Sequence, residues 1–295
     1  MSLVINHNLM AMGAARSLGI TYNRLATSVS RLASGLRINS AADDAAGLAI
    51  REMMRTDIRV LNQGVRNAND AISLIQTADG ALSVIDEKLT RMKELAEQAA
   101  TGTYTSAQRL IMDSEYQAMA SEISRIAMAT DFNGVKLLDG TLSGTAVGGG
   151  SGNQMKIHFG TGNSSAEDYY YIRIGNATAS ALGVGNGISS TQAGYTISTQ
   201  SAAQAALDAI DLAVQSKDTV RAGLGAVANR LANTISNLSI QAENLQAAES
   251  RISDVDVATE MTEFTRNQIL TQAAVAMLAQ ANTLPQLALQ LIGGQ

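Results

Sequence analysis

The chain has 295 residues, 46% of them apolar but only 3% aromatic, and it contains neither Trp nor Cys. Without Cys there is no disulfide, no thiolate metal site and no cysteine nucleophile. The net charge of -5 is scattered along the chain, which excludes the basic surface of a nucleic-acid-binding protein. A core of Leu, Ile, Val, Ala and Met suits thin helical bundles better than a thick globular core.

Composition and hydropathy are compatible with two locations, the cytosol and the outside of the cell. No stretch reaches the roughly 18 apolar residues that span a bilayer, so no membrane insertion is expected. The first basic residue is Arg16 and no apolar segment follows it, so we expect no cleaved secretory signal. The lack of Cys fits a cytosolic protein, and it also fits a chain exported in an unfolded, uncrosslinked state.

The first predicted helix, over residues 1–38, carries apolar residues at alternating steps of four and three. This stripe consists of Ala11, Ala15, Leu18, Tyr22, Leu25, Val29, Leu32 and Leu36. A stripe with a period of 3.5 residues stays buried only when it faces another helix in a left-handed supercoil. The helix therefore requires a helical partner, and Ser34 and Gly35 predict where it ends.

A second and much longer helix is predicted over residues 42–100, with Ser40 as its N-cap and with Asp43 and Asp44 near its positive end. Its stripe runs through Met54, Ile58, Leu61, Val65, Ala68, Ile72, Ile75, Ala78, Leu82, Ile85, Leu89 and Met92. Residues 101–103 end this helix, and a third helix is predicted over residues 106–128.

The middle of the chain changes composition and predicts β-structure. Residues 131–134 indicate a turn, and residues 140–152 form a glycine-rich, nearly featureless stretch. Alternating apolar residues at 155–159 and a β-prone run at 169–174 predict the two strands of a hairpin. A further weak strand is predicted at residues 195–198.

The C-terminal part of the chain repeats the helical spacing of the N-terminal part. A long helix over residues 201–252 carries in its stripe Leu207, Ile210, Val214, Leu224, Ala228, Leu231, Ile235, Leu238, Ala242, Leu245 and Ile252. Lys217, Arg221 and Glu249 are the polar residues in this stripe. After a break at residues 254–256, a last helix carries Leu270, Ala274, Met277, Ala281, Leu284 and Leu291, and Pro285 predicts a kink in it.

Residues suited to catalysis or to metal binding are sparse. His7 and His158 are the only histidines, and neither has a second histidine at helical spacing with which to share a metal ion. The glycine cluster at residues 148–152 lacks the flanking residues of a phosphate-binding loop. Asp43 and Asp44 are explained by their position at a helix start. We therefore predict no enzyme activity, no cofactor and no metal site.

Five segments are specific enough to indicate a family. The first reads RLASGLRINSAADDAAG (residues 31–47), and it closely resembles the N-terminal signature of bacterial flagellins. QTADGAL (76–82) and FNGVKLL (132–138) resemble two further flagellin segments. SRISDVDVATE (250–260) and VAMLAQANTLP (275–285) resemble the C-terminal signature. The resemblance covers residues 1 to about 140 and 200 to 295, and the five segments occur in the order typical of the family.

The resemblance implies a mainly α fold with long antiparallel coiled-coil helices, a small β-hairpin region and a discontinuous two-domain layout. Residues 1–45 and 255–295 would form an inner domain of paired terminal helices that lines the channel of a filament. Residues 46–254 would form a coiled-coil rod with a short variable region at about 140–200. Only about 60 residues separate the two matching ends, so the outer domains of longer flagellins should be missing.

As a function, the resemblance implies a subunit of the extracellular bacterial flagellar filament used for swimming, exported unfolded through the flagellar type III apparatus. Its expected partners are further copies of itself, the flagellar export chaperone and cap, and the hook-filament junction proteins. A junction protein, an enzyme carried on the filament surface and an adhesin that uses the hairpin are the alternative interpretations.

The apolar stripes of the terminal helices are an independent reason to expect a homopolymer. One subunit offers too few partners to cover both terminal helices, so neighbouring copies must complete the burial. A repeated contact that does not close on itself produces a filament. The residues expected to drive polymerisation are Leu18, Leu25, Val29, Leu32, Leu270, Met277 and Leu284.

A receptor contact is also implied by the resemblance. In flagellins recognised by an innate Toll-like receptor of the host, an arginine and a leucine of the rod helix and a glutamate of the third helix form the main contact. The matching residues here are Arg91, Leu95 and Glu115. Arg91 and Leu95 are four residues apart, which predicts that they share one helical face.

Overall fold

Six helices and two short antiparallel hairpins make up the part of the chain that the computed structural model describes, which is residues 7–144, 154–164, 167–185 and 194–293, with side chains up to residue 283. The helices are α1 (Leu9–Ser34), α2 (Ala45–Ala100), α3 (Ser106–Ala129), α4 (Ala179–Leu182), α5 (Gln200–Ser253) and α6 (Val257–Gly293). The strands are β1 (Asp131–Phe132), β2 (Val135–Lys136), β3 (Met155–His158) and β4 (Tyr169–Ile172). The expected mainly α fold with long helices and a small hairpin region is confirmed.

The first helix has well-defined ends. The side-chain oxygen of Asn8, its N-cap, accepts a hydrogen bond from the Ala11 N–H at 2.9 Å. Gly35 ends the helix in the left-handed conformation, with a φ of 72° that glycine adopts without steric cost. The breaking signal at Ser34 and Gly35 is therefore confirmed, and the helix predicted over residues 1–38 ends four residues earlier than expected. In the last helix, α6 continues through Pro285 without interruption, and the kink expected there stays a prediction.

The predicted N-cap of α2 at Ser40 is wrong. The Asp43 carboxylate accepts hydrogen bonds from the N–H groups of Ser40 at 2.9 Å and Asn39 at 3.1 Å, so it folds the preceding residues into a turn. These two bonds to the ionised carboxylate hold the pKa of Asp43 below its usual range. Asp44 caps α2 instead, because its Oδ1 accepts from the Gly47 N–H at 2.9 Å.

The chain divides into two compact units, and the helices α2 and α5 contribute residues to both. Unit 1 consists of Met1–Ile58 and Glu243–Gln295, and unit 2 consists of Arg59–Ala242. The inner and outer layers implied by the resemblance are a property of an assembled filament, so they remain a prediction.

In unit 2, α2 and α5 run antiparallel, because residue numbers that rise along α2 pair with numbers that fall along α5. The ion pairs that show this are Asp79 with Arg221, Asp86 with Lys217, and Lys93 with Asp211. The core of unit 2 contains the largest fully buried side chains of the described chain: Leu82, Ile85, Leu89, Met92, Tyr116, Ile123, Leu137, Leu138, Ile172, Ile174, Ile197 and Ile210. The stripe predicted for this part of α2 is therefore confirmed.

Both hairpins belong to unit 2. Strands β1 and β2 pair around Asn133 and Gly134, whose positive φ values of 51° and 80° are those a two-residue hairpin turn requires. The turn predicted at residues 131–134 is thus the tip of a hairpin. Strands β3 and β4 pair in antiparallel register, from Met155 opposite Ile172 to His158 opposite Tyr169, as predicted. Most of the glycine-rich stretch at 140–152 lies outside the described residues.

The strand predicted at residues 195–198 is wrong. This segment is irregular, and hydrogen bonds to α3 satisfy its backbone in place of a strand partner. Asp113 Oδ1 accepts from the Thr196 hydroxyl and from the Ile197 N–H, both at 2.8 Å. The Tyr116 hydroxyl, fully buried, donates to the carbonyl of Gly194 at 2.8 Å. Side-chain acceptors on a neighbouring helix are invisible to strand propensity.

In unit 1, α1 packs along α6. The two segments that follow α1 and α5 also pair with each other through an isolated antiparallel β-bridge. On one side the Arg37 N–H donates to the Ser253 carbonyl at 2.6 Å, and on the other the Val255 N–H donates to the Gly35 carbonyl at 3.0 Å. The N-terminal and C-terminal parts of the chain are therefore joined at the base of their terminal helices.

Candidate functional site

The seam between α1 and α6 consists mostly of small or polar side chains. Its buried and half-buried residues are Ala11, Ala14, Leu18, Thr21, Leu25, Ser28 and Leu32 on α1, and Phe264, Asn267, Thr271, Ala274, Leu278 and Ala281 on α6. Both runs keep the alternating steps of three and four of a coiled coil. At one end the Asn8 amide nitrogen donates to the Ala281 carbonyl at 2.8 Å.

The stripe predicted for α1 is therefore half right. Leu18, Leu25 and Leu32 lie in the seam, but Tyr22 and Val29 are exposed. Two alternating registers share these three leucines, and apolar content alone favours the one that also contains Tyr22 and Val29. The structure adopts the other register, whose remaining members are smaller and let the two helix backbones lie close together.

The residues predicted on α6 divide in the same way. Ala274 and Ala281 lie in the seam, whereas Leu270 is exposed and Met277 is 62% exposed. The side chain of Leu284 lies outside the described residues. The expected polymerisation residues thus form two groups, one inside the helix pair and one on its surface.

Further large apolar side chains, which the stripe did not include, are exposed on the same two helices. They are Leu9, Met10, Met12 and Ile20 on α1, and Val257, Met261, Ile269 and Val275 on α6. The wealth of methionine near the N-terminus was the signal in the sequence that could have found some of them. Because soluble monomers rarely expose many large apolar side chains together, this surface of the helix pair is a candidate interaction surface.

The segment between α1 and α2 is held by polar side chains of the flagellin-like signature. The Asn39 amide nitrogen donates to the Ser30 carbonyl at 3.1 Å and to the Ser34 hydroxyl at 2.8 Å. The buried Arg51 donates from Nη1 to the Ile38 carbonyl at 2.7 Å. These residues therefore position the base of α1, which explains why the signature is rich in short polar side chains.

The matching segment between α5 and α6 uses the same kind of chemistry. Asp254 accepts a hydrogen bond from the Ser250 hydroxyl at 2.6 Å. Asp256 caps the N-terminus of α6, because its carboxylate accepts hydrogen bonds from the Thr259 hydroxyl at 2.8 Å and from the Ala258 N–H at 3.0 Å. The bonds from Thr259 and then from the backbone N–H groups hold the pKa of Asp256 below its usual range.

The three polar residues predicted in the stripe of α5 each face an oppositely charged residue of α2. In unit 2, Arg221 donates two hydrogen bonds to the Asp79 carboxylate, at 2.7 and 3.2 Å. In unit 1, the Glu249 carboxylate lies 3.7 Å from the Arg55 guanidinium. Their position opposite α2 explains how polar residues are accommodated in an otherwise apolar stripe.

Lys217, the third of these residues, is only 2% exposed. Its ammonium contacts the carboxylates of Asp86 and Asp218. Burial by itself lowers the pKa of Lys217, but the hydrogen bonds from Asp218 and Asp86 outweigh that effect, and the net shift is upward. The charged form of this lysine is therefore the one that the fold stabilises.

Only two of the three expected receptor-contact residues are at the surface. The Arg91 guanidinium, in a side chain 49% exposed, lies 2.9 Å from Glu115 and 3.0 Å from Glu94. The hydrogen bonds to Glu94 and Glu115 raise the pKa of Arg91 further. Leu95 is 2% exposed and belongs to the core, although it lies one turn from the exposed Arg91, and the receptor contact itself stays a prediction.

No metal centre or membrane span is present in the ranges that the structure describes. There, no three His, Cys, Asp or Glu side chains gather closely enough to hold a metal ion. The same ranges contain no helix with the length and apolar content that crossing a bilayer demands.

His158, one of the two histidines of the sequence, stacks against Tyr169, with the two ring centroids 5.9 Å apart.

Long antiparallel helices with a closed aliphatic core, joined to a terminal helix pair with an apolar surface, define a class of subunit that neighbouring copies complete. Two family models match this chain. One, described as the bacterial flagellin N-terminal helical region, matches residues 5–143, and the other, the bacterial flagellin C-terminal helical region, matches residues 207–292.

Known proteins agree with this match over nearly the whole length. A flagellin of Halalkalibacterium halodurans is 46% identical over 98% of this chain and 100% of its own. A flagellar filament 30.7 kDa core protein of Treponema maltophilum is 40% identical over 98% of this chain and 100% of its own. The chain belongs to the bacterial flagellin family, a family of structural proteins of the extracellular flagellar filament.

A more distant structure shares the fold alone. It is a proposed flagellar hook-associated protein from Vibrio parahaemolyticus, 18% identical, with a TM-score of 0.55 over 72% of this chain and 100% of that one. At this identity the likeness carries no information about function.

Proposed function

We propose that this chain polymerises into the filament of a bacterial flagellum through the outward apolar side chains of α1 and α6. The observation that supports this most strongly is the distribution of side chains in the terminal helix pair. Mostly small and polar residues, with a few leucines and Phe264, face the partner helix, while Met277, Leu270 and Val29 face outward. Burying one such side chain is worth about 1.5–3 kcal/mol, so several of them together give neighbouring copies a large gain in free energy.

The filament would serve swimming, and the subunit would reach it through the flagellar type III apparatus as an unfolded chain. The sequence suits that route because it has no Cys and therefore no disulfide to oppose unfolding. The export chaperone, the filament cap and the hook-filament junction proteins are the partners this route requires. Among the proposed parts of this function, self-association is the one most directly supported by the surface of α1 and α6.

The polymerisation is tested by changing the outer surface of α6 without touching its seam. We expect the double variant Leu270→Ser, Met277→Ser to stay a folded monomer and to form no filaments at a concentration 100-fold above that at which the parent polymerises. Negative-stain microscopy and sedimentation measure the filaments, and circular dichroism measures the fold.

A matched control replaces an exposed apolar residue in the hairpin region. Tyr171 is about half exposed on β4, and Tyr171→Ser should polymerise like the parent. The proposal fails if the α6 variant polymerises at the parent's concentration, or if both variants lose polymerisation equally.

A hook-filament junction protein is the alternative function. Relatives that match over 98% of this chain are named flagellin or flagellar filament core protein, which favours the filament. Purified protein separates the two, because a filament subunit forms long filaments from itself alone, whereas a junction protein adds only a short collar to an existing structure.

We also propose that the monomer binds an innate Toll-like receptor of the host through the surface around Arg91 and Glu115. Both side chains are accessible to a receptor in the free chain, since each is more than 40% exposed although they form an ion pair with each other. Leu95 would support this surface from the core and would not contact the receptor itself. The intact filament should not activate the receptor if neighbouring copies cover this surface.

A further inference from the structure

A basic stripe lies on the outward face of α2 at the start of unit 2. Arg59, Gln63 and Arg66 follow one another at one-turn steps, and the partly exposed Val60 lies beside Arg59. Arg59, Val60 and Gln63 form one wall of an open groove whose other wall is the start of the β3–β4 loop. The stripe is therefore accessible from outside the molecule.

The two arginines of the basic stripe have no acidic partner in the described ranges of their own chain. Arg66 donates two hydrogen bonds to the Gln63 side-chain oxygen, at 2.6 and 3.0 Å. Because the acceptor is a neutral amide oxygen, these bonds orient the guanidinium along the helix surface without neutralising its charge.

An acidic stripe lies on the outward face of α5, also in unit 2. Asp211, Leu212, Gln215 and Asp218 line a shallow open groove along this helix. Leu212 is 66% exposed, although a leucine on a fully solvated helix face gains nothing there. Asp211 and Asp218 touch lysines of their own chain, but both carboxylates stay more than half exposed and keep free lone pairs.

The basic and acidic stripes have the same spacing with opposite charge. Each presents a charged residue, an aliphatic residue directly after it, a glutamine four residues on and a second charge seven residues on. With a rise of about 1.5 Å per residue, the two charges of each stripe are about 10 Å apart, so two ion pairs can form at the same time. Such a double match is specific in a way that a single charge pair is not.

One chain cannot bring its own two stripes together. The contact between Lys93 and Asp211 places the acidic stripe level with the C-terminal part of α2. Arg66 lies 27 residues before Lys93 on the same helix, which is about 40 Å along it. The partner of each stripe must therefore come from another molecule.

We infer that the basic stripe of one copy binds the acidic stripe of a second copy. The inference rests on the proposed polymerisation and adds to it a contact between units 2 of neighbouring subunits. Because α2 and α5 run antiparallel and the copies of a polar filament all point the same way, the stripes meet antiparallel. Arg59 then faces Asp218, Arg66 faces Asp211, and Leu212 packs into the gap between the arginines.

This contact joins two different surfaces, so it leaves a free stripe on each outer copy. A contact of this kind repeats without closing unless the rotation brings the ends together, and it is therefore compatible with an open helical polymer. The mostly polar nature of the stripes also fits a subunit that must remain soluble as a monomer before assembly.

The experiment reverses the charges of one stripe at a time and then of both. Arg59→Asp with Arg66→Asp makes both stripes acidic, and Asp211→Arg with Asp218→Arg makes both basic. We expect each double variant to need at least a tenfold higher concentration than the parent to polymerise. The chain with all four changes keeps the parent's net charge and carries the stripes exchanged, so it should polymerise within threefold of the parent.

A fifth chain controls for the intrachain ion pair of Asp211, while the lost contact of Asp218 with Lys217 is common to the variant with both stripes basic and to the fourfold variant, so a fourfold variant that polymerises excludes that loss as the cause. Lys93→Ala breaks the contact of Asp211 within its own chain and leaves both stripes intact. This variant should polymerise like the parent, and circular dichroism should show that all five chains fold as monomers. An equimolar mixture of the two double variants should also polymerise, because each supplies the stripe that the other lacks.

Polymerisation of both double variants at the parent's concentration would overturn the inference, and so would a fourfold variant that polymerises no better than the double variants. Neither result touches the proposed function, because the parent still forms filaments in both cases. If the parent itself forms none under conditions in which its monomer is folded, the proposed function fails, and this contact fails with it.

Discussion

The helix pairs α1 with α6 and α2 with α5 have the same apolar spacing in the sequence but use it in opposite ways. In unit 2, the stripe of α2 places Leu82, Ile85 and Leu89 in a closed core, with no exposure to solvent. In unit 1, most seam residues are small or polar, with Leu18, Leu25, Leu32, Phe264 and Leu278 among them, and residues as large as Met277 face outward. The stripe of α2 is thus buried within one chain, while many large apolar residues of the terminal helices stay exposed.

This difference separates stability from assembly. Apolar side chains that are already buried contribute to the free energy of unfolding of the monomer, whereas exposed ones contribute only when a neighbour covers them. Substitutions in the two units should therefore affect different measurements.

The largest expected effect compares one apolar residue from each unit. Leu89→Ala, in the closed core, should lower the free energy of unfolding of the monomer by about 2–5 kcal/mol, since it removes buried methyl groups and leaves a cavity. Met277→Ala, on the surface of α6, should change it by less than about 0.5 kcal/mol. Urea unfolding followed by circular dichroism measures both. Equal losses would mean that the exposed residues of unit 1 are buried within the monomer.

A second prediction concerns the charged surface of unit 2. Arg91→Ala should weaken receptor binding by the monomer roughly 30-fold, about 2 kcal/mol, because arginine anchors at an interface centre are worth about that much. The free energy of unfolding should change little, since the ion pair of Arg91 is exposed.

Arg125 is the matched control for this receptor experiment, because it also forms an exposed pair with a glutamate, Glu122, on a helix of the same unit. Arg125→Ala should bind the receptor within about twofold of the parent, which corresponds to less than about 0.5 kcal/mol. Surface plasmon resonance with monomer measures both variants. Equal binding by the Arg91 variant and the parent would refute the proposed receptor contact.

A third prediction uses the buried ion pair between α2 and α5. Asp86→Ala should cost about 1–2 kcal/mol, because it removes one acceptor from the buried ammonium of Lys217. Lys217→Met should be neutral or stabilising, since a buried apolar side chain of similar length needs no charged partner. Thermal unfolding of the monomer tests the order of the two variants. If Lys217→Met lowered the unfolding temperature more than Asp86→Ala did, the ion pair would be a main source of stability between α2 and α5.

The smallest expected effect is on pH dependence. The hydrogen bonds from Arg221 hold the pKa of Asp79 below its usual range, which is near 3.8. A depressed carboxylate pKa contributes stability that is present above the unfolded pKa and is lost as pH falls through the folded one. The parent should therefore lose more stability than Asp79→Asn between pH 5 and pH 2, by less than about 1 kcal/mol because the pair is partly exposed.

Urea midpoints at these two pH values measure the difference between the parent and Asp79→Asn. Asp43 and Asp256 also have lowered pKa values, and they act in the same direction in unit 1. A parent whose stability rises on acidification would contradict the direction of all three shifts.

Sequence patterns predict those parts of the fold in which only one arrangement buries the apolar residues. Between Ala78 and Met92, one face of α2 carries the apolar stripe and the other faces carry most of the charged residues, so only the apolar face can enter a core. The polar residues of α5 that interrupt its stripe, Lys217 and Arg221, were identifiable for the same reason, and their partners on α2 were not. The five flagellin-like segments indicated the family, and two of them, residues 31–47 and 250–260, supply side chains that cap and join helices.

The three-dimensional structure is needed to establish which face of α1 meets α6, because two registers share Leu18, Leu25 and Leu32 and differ in the residues between them. It likewise decided that Leu95 is buried while Arg91, four residues away, is exposed. Periodicity tells which residues share a helical face, but burial depends on what lies opposite that face in space. That partner comes from a distant part of the chain or from another molecule, and no local pattern encodes its position.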